Sequence, residues 1–570
     1  MPKRSSMRSR RSLLWNAGLA GMLIFHPVQR GSQSDGPSDP IFEAVIASRS
    51  GIRWVHDNGM SPERWLPESM CSGCAFFDFD NDGWMDIFLV NTGPCDFYQP
   101  KKDVHSALYR NNRDGTFTDT TEKAGLHGRL FGEGVAVGDY DGDGWPDIYL
   151  TGYGRNILYH NNRDGTFTDL TEEAGLTAKG WSTSAVWFDY DNDGRLDLFV
   201  CSFVDYSGNN KVFCGNNEIG VRYYCLPRLF ESRFSHLFHN NGDGTFKEVG
   251  HRTAIGKSPC KAHGAVATDI NNDGLMDLFV ANDTVANYLF VNRGNGEFEE
   301  IGFTAGVAYS DHGQPRSGMG VDSGDYDNDG LMDLFVANID RERFSIYRNA
   351  GREMFSDMAA QTGIGRATYF LSGWGLKFFD YDNDGNLDLI LSNGHPDDMV
   401  ETYTVNVTWK EPLLLFHGDG KTLTDVSRSA GREFQMHWGA RGLAVGDYDN
   451  DGGLDVLINN NGDAPLLLHN RHGKQNNWVG LKLVGRDCNV DAVGAIVTWS
   501  FDGRTKSRLK TSGGSYLSSH DPRVVCGIGE SKKVDWLEVK WPRPSGKIER
   551  FTSLPLNRYV TVVEGKGIMD

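Results

Sequence analysis

No apolar stretch in this sequence is long enough to cross a bilayer, which takes roughly 20 residues. The nearest approach, Leu13 to Phe25, is thirteen mostly apolar residues behind a basic stretch, so no stable transmembrane span is expected. Positive charge is scarce too: 57 Lys and Arg face 76 Asp and Glu, a formal net charge of -19. That balance argues against nucleic acid, whose phosphates select basic surfaces. Catalytic signatures are missing. There is no HExxH and no GxSxG, which leaves zinc-peptidase and α/β-hydrolase chemistry without their residues. "HRTAIGKS", His251 to Ser258, ends like a phosphate loop but has His where the first Gly must stand.

Cysteine is limited to nine residues, an odd number. Cys71-Ser-Gly-Cys74 has no second CxxC to complete a zinc site and no βαβ setting for thiol exchange, so a structural role is expected. Cys214 and Cys225, both in "FCGNNEIGVRYYCLP", are the best disulfide candidates.

The opening "MPKRSSMRSRRSLLWNAGLAGMLIF" has the layout of an export signal, assigned to residues 1–34. "SRRSLL" resembles a twin-arginine signal, and ordinary secretion fits equally well. The chain is expected to be secreted, periplasmic or held at the cell surface.

What the sequence has in abundance is one acidic loop. "DFDNDGWMD", Asp78 to Asp86, carries acids at positions one, three, five and nine with Gly at six, and the pattern returns from Asp139, Asp189, Asp269, Asp325, Asp380 and Asp447. Alternate side chains can converge on a hard cation while Gly permits the tight turn. An EF-hand closes its related loop at position twelve between helices. Here the closing acid stands at nine, and strand-like runs such as "GVAVGDYD" and "LFV" flank it.

Two further elements recur in step, a run like "ILYHNN" and a strand like "GTFTDTTEKAGL", joined by "RDGT" or "GDGT" turns. Four short strands per unit suit a propeller blade, so the fold class predicted is all-β, a seven-bladed β-propeller over 41–475. The last "LLLHNRHG" has no following strand, whereas "IFEAVIASRSGI", Ile41 to Ile52, is such a strand without a hairpin partner. Ring closure by the N-terminus follows, with Phe42 and Leu467 in one sheet. Residues 476–566, with "NNWVGLKLVG" and "VDWLEVKWP", read as a separate small β-rich domain without the acidic loop.

The seven loops resemble FG-GAP or VCBS repeats, the calcium-bearing blades of integrin α-subunit propellers, and the C-terminal segment looks like an ASPIC/UnbV domain. Together they resemble secreted proteins of the cartilage acidic protein type. The resemblance implies an extracellular calcium-binding propeller, and about seven structural calcium ions are expected. In the first loop the donors are Asp78, Asp80, Asp82 and Asp86 with the backbone carbonyl of Trp84; the next two use Asp139, Asp141, Asp143 and Asp147, then Asp189, Asp191, Asp193 and Asp197. The fourth has Asp269, Asn271, Asp273 and Asp277, and its neutral amide predicts the weakest site. The remainder use Asp325, Asp327, Asp329 and Asp333; Asp380, Asp382, Asp384 and Asp388; and Asp447, Asp449, Asp451 and Asp455.

Function divides into two expectations. The first is a non-enzymatic binding or adhesion module for an extracellular glycan or protein. The alternative is an extracellular enzyme, a polysaccharide lyase or a cyclase, using His312, Arg316, His437 and Arg441 around a pocket on the propeller face, with His395 and Trp438 nearby in sequence pattern.

Overall fold

The computed structural model describes residues 39–209, 212–216 and 220–569. The export segment assigned to 1–34 lies outside the described residues. No described helix is long and apolar enough to cross a membrane.

Between residues 42 and 470 the described strands form seven antiparallel sheets built on four strands, each carrying one acidic loop between its innermost strand and the next, and two small two-stranded pairs. The second sheet is representative: Phe131–Gly138, Asp147–Tyr153, Ile157–Asn161 and Phe167–Asp169 pair in chain order, with Val137 opposite Ile148 and Ile148 opposite Tyr159. Second strands such as Asp147–Tyr153, Asp277–Asn282 and Asp455–Asn460 are buried along their whole length. A neighbouring sheet covers each face, which explains apolar runs without polar alternation. The core is accordingly divided. Phe77 and Phe88 of the first sheet pack with Val135 and Ile148 of the second, and Phe335 and Ile346 of the fifth pack with Leu376 and Leu389 of the sixth.

The innermost strands, Cys74–Phe77, Phe131–Gly138, Ser182–Phe188, Ala262–Thr268, Val321–Gly324, Gly373–Phe379 and Ala440–Gly446, touch in that order, and the last touches the first. The ring is closed by the N-terminal strand Phe42–Ala44, which is the outer strand of the last sheet, beside Leu466–Asn470. Phe42 stands opposite Asn470 as Phe117 stands opposite Asn111 and Phe167 opposite Asn161. The missing strand therefore enters in the register of every other sheet.

Residues beyond Asn477 form two more four-stranded sheets around a core containing Val479, Leu481, Trp499, Leu537 and Val562. This segment, with its own core, packs closely against the ring within the compact unit Pro40–Asp570. The reason is the loop Ser512–Asp521, which threads the ring's centre and bonds to all seven inner strands. Ser519 N–H donates to Cys74 O (3.0 Å), Val135 N–H to Leu517 O (3.0 Å), Leu517 N–H to Ser184 Oγ (3.2 Å) and Gly514 N–H to Ala265 O (2.9 Å). Val321 N–H donates to Ser515 O (3.0 Å), Leu376 N–H to Ser515 Oγ (3.2 Å) and Ser515 Oγ to Leu443 O (2.7 Å). Inner strands are sheet edges with unpaired backbone groups, and the loop satisfies them. Its course needs left-handed backbone at Ser515 (φ 58°) and Leu517 (φ 57°). At its tip Tyr516, with no exposed surface, donates its hydroxyl to Met70 O (2.9 Å) and packs against Trp374.

Candidate metal centres and a cavity on the opposite face

The seven acidic loops share one hydrogen-bond plan. The first Asp accepts two backbone N–H groups of its own turn: Asp78 Oδ1 from Asp82 and Asp78 Oδ2 from Gly83, both at 2.9 Å. The fifth-position Asp82 Oδ1 accepts Trp84 N–H at 3.0 Å. The ninth, Asp86, ties the loop to two strands, accepting from Phe79 N–H (3.0 Å) and Asn111 N–H (2.7 Å). Gly83 has φ 88° and Asn81 φ 52°, and the corresponding pair recurs, for example Asn192 with Gly194 and Asn450 with Gly452. The fourth position thus also needs left-handed backbone, which Asn tolerates best among non-Gly residues.

Third-position carboxylates differ from the others. Asp80 Oδ1, Asp191 Oδ1, Asp327 Oδ1 and Asp449 Oδ1 are buried with no hydrogen-bond partner among the described residues. Three groups of ligand atoms lie close together at Asp78, Asp80 and Asp86, and similar clusters occur in other loops. Burial raises Asp139, Asp189 and Asp333 to about 8. Such groups of desolvated acids could hold a metal ion.

Two features of these loops escaped the sequence reading. On six of the seven third strands the penultimate residue faces the acids, preceding Asn in five of them and Gly418 in the sixth sheet: Arg110 Nε lies 2.6 Å from Asp80 Oδ2, Arg348 Nε 2.5 Å from Asp327 Oδ2, and His160 Nδ1 3.2 Å from Asp147 Oδ1. His239, His417 and His469 repeat the His160 arrangement. In the fourth loop, where Asn271 replaces an acid, that register holds Val291. The Asn itself is an inter-sheet staple. Asn161 Nδ2 donates to Phe79 O of the preceding sheet's loop (2.9 Å), Asn292 to Tyr190 O (2.7 Å) and Asn470 to Tyr381 O (2.7 Å). The recurring "YRNN" and "YHNN" runs were the available signal.

The C-terminal segment lies over this loop-bearing face. Tyr559 donates to Asp447 Oδ2 (2.8 Å), Arg508 to Gly385 O (2.9 Å) and Lys482 to Asn81 Oδ1 (3.1 Å).

The four residues considered for an enzymatic pocket stand in different surroundings. His312 and His437 are exposed in separate loops. Arg316 is paired with Asp357 (2.9 Å). Arg441 is fully buried, stacked 4.2 Å from the Trp374 ring centre and donating to Ser69 O and Gly394 O. It supports the floor of the ring rather than facing solvent. Trp438 donates to Glu433 O at 2.9 Å. His395, by contrast, lines a cavity of about 240 Å³ on the face opposite the acidic loops. Cys71 and Cys74 are buried thiols, Cys74 packing 3.7 Å from Ser518 of the threading loop, and Cys214 is disulfide-bonded to Cys225 at that cavity's edge.

Sequence comparison agrees with this architecture. The FG-GAP-like repeat family matches 78–150, 139–200, 230–280, 269–336 and 325–391, and the ASPIC and UnbV family matches 485–568. Cartilage acidic protein 1 of Homo sapiens is 26% identical over 509 residues, 84% of this chain and 70% of that protein. The Xenopus tropicalis protein of the same name is 26% identical over 462 residues, 76% of this chain and 66% of its own length, just under two thirds. Among solved structures, an Agrocybe aegerita lectin specific for non-reducing terminal N-acetylglucosamine aligns at TM-score 0.36 and 16% identity, covering 64% of this chain and 84% of that one. The chain belongs to the FG-GAP-like repeat proteins and carries an ASPIC and UnbV domain at its C-terminal end.

Proposed function

We propose that this protein is an exported, calcium-stabilised propeller that works as a non-enzymatic binding module for an extracellular glycan or protein. The observation that carries the calcium reading is the buried, unpartnered inner oxygen of four third-position carboxylates, Asp80, Asp191, Asp327 and Asp449. In each loop the acids at positions one, three, five and nine would hold the ion with the seventh-position carbonyl, the oxygen-rich and adaptable donor set that calcium prefers. Arg110 and Arg348 engage outer oxygens, Asp80 Oδ2 and Asp327 Oδ2, and leave the inner ones to the cation. A structural role for the ions is supported by the ninth-position acids, which tie each turn to two strands, as Asp86 does through Phe79 and Asn111. The basic and apolar opening of residues 1–34 supports export.

The binding reading is supported over a lyase or cyclase by the settings of the four residues weighed for catalysis: Arg441 is fully buried, Arg316 is paired with Asp357, and His312 and His437 are exposed in separate loops. A binding function asks only for a rigid scaffold and a recognition face. The test is elemental analysis with thermal melting in chelator and then across micromolar to millimolar calcium. About seven bound calcium ions and a large calcium-dependent rise in Tm are expected; absence of both overturns the calcium reading. Retention of unaltered material from a polysaccharide and protein panel is the expected ligand result, and new shortened or unsaturated products would overturn the non-enzymatic assignment.

A further inference from the structure

The cavity opposite the acidic loops is framed by connections leaving the second strands of three consecutive sheets: Asp283 and Thr284, Ile339 to Arg341, and His395 to Thr404. Its volume, about 240 Å³, is slightly below the common range of small-molecule sites, roughly 300–1,000 Å³. The occupant must therefore be small or a single side chain. Leu66, Met70 and Met319 provide apolar lining.

Most polar groups at the cavity already have partners. Asp340 Oδ1 lies 3.4 Å from His395 Nε2, Asp397 Oδ2 accepts the Tyr403 hydroxyl at 2.9 Å, and Arg341 bonds to Thr404 Oγ1. Two consecutive residues differ. Asp283 is only 3% exposed, yet its Oδ1 has no donor among the described residues, and the adjacent Thr284 Oγ1 has no partner either. Thr284 is held at φ 61°, an unfavourable left-handed conformation for a β-branched residue. Its N–H donates to Arg316 O (3.1 Å) and that of Asp283 to Lys261 O (2.9 Å), which pins both residues at the cavity. Strain of this kind gathers at ligand clamps.

The cation nearby, Lys261, acts on Asp283 through space and gives Oδ1 no hydrogen bond. Lys261 is turned away to Pro227 O (2.8 Å), and His263 Nε2 is 3.8 Å from Asp283 Oδ2, beyond hydrogen-bond range. Glu342 is raised to about 7 by burial, with the charges of Asp283 and Asp340 adding to the shift and the Ser317 N–H and Arg316 opposing it. A buried carboxylate oxygen is costly without a donor, and a charged donor gives the stronger bond.

We propose that this cavity binds an alkylammonium group, from a free amine or a lysine side chain of a partner protein, placing the ammonium on Asp283 Oδ1 and Thr284 Oγ1 and the stem along Leu66, Met70 and Met319. An ammonium brings three donors, enough for both acceptors, and a lysine stem packs readily on apolar surface. This ligand class deepens the binding-module reading and rests on it.

The test is calorimetry on the calcium-loaded full chain with n-pentylamine, 1-pentanol and Nα-acetyl-lysine amide, for the parent, Asp283→Asn and the cavity-filling Ile339→Trp. Expected are pentylamine binding at least tenfold tighter than pentanol and a loss of at least tenfold in either variant. Competition by the lysine amide identifies a side-chain source, and pentylamine binding without competition identifies a free amine. Equal binding of amine and alcohol, undiminished binding in both variants, or no binding at millimolar probe overturns the assignment. The Tm response to calcium, read on the same samples, separates the outcomes: a normal response without amine binding sinks the cavity ligand alone, whereas no response sinks the wider reading.

Discussion

Replacing Tyr516 tests whether the threading loop holds the ring together. Its side chain is fully buried, donates to Met70 O at 2.9 Å and sits 4.8 Å from the Trp374 ring centre. Tyr516→Phe removes only the donor and leaves a buried carbonyl unpaired, a cost of about 1–3 kcal/mol. Tyr516→Ala also empties an aromatic site, typically about 3–5 kcal/mol, and together with the carbonyl reaches roughly 4–8 kcal/mol. Pro40–Asp570 is one compact unit, and at about 2 cal/mol/K per residue its unfolding entropy is of order 1 kcal/mol/K. Tyr516→Ala should therefore lower Tm by about 4–8 °C and Tyr516→Phe by about 1–3 °C. Hydrogen exchange is the more specific assay. Amides of Val135, Val321 and Leu376, all bonded to the loop, should lose protection first. An alanine variant melting within about 1 °C of the parent, with these amides still protected, would refute the idea that the loop contributes to ring stability.

Three other outcomes follow from the loops. Burial raises Asp139, Asp189 and Asp333 to about 8 in the cation-free fold, far above the ordinary carboxylate value. A raised folded pKa contributes stability at low pH that is lost as pH climbs through that value. The chelated protein should thus weaken from about pH 4 to 8, while calcium, selecting the ionised form, gives a Tm gain that widens over the same window; a gain independent of pH would contradict this. Asn292→Ala removes donors to Tyr190 O (2.7 Å) and Met276 O (3.2 Å), and denaturant unfolding should show a loss of about 2–4 kcal/mol. Asn271→Asp should tighten calcium at the fourth loop, and unchanged calorimetric affinity there would show that loop charge does not set it.

The acidic loops were legible in sequence because their geometry is local. Nine residues contain the acids, the turn glycine and the strand that follows, and steric rules on backbone angles act at that range. Phe42 was legible for a related reason, since a repeat with one missing strand advertises its own gap. The structure, in turn, pairs Phe42 with Asn470 in the register of the other sheets.

Other features depended on residues brought together from distant parts of the chain. Arg110 and His160 look like ordinary surface residues of a strand until sheet pairing turns them toward the acids. Ser512–Asp521 carries no pattern that announces a ring, and its bonds to all seven inner strands exist only once those edges face a common centre. The same holds for Asp283 and Thr284, whose unpaired oxygens become conspicuous only when three neighbouring connections enclose them. The sequence by itself determined the repeat, the strands and the acidic pattern of each turn, because those follow from short-range sterics and charge. Tertiary structure alone decided which edges the C-terminal loop satisfies and where a cavity forms, because burial is a property of the packed whole.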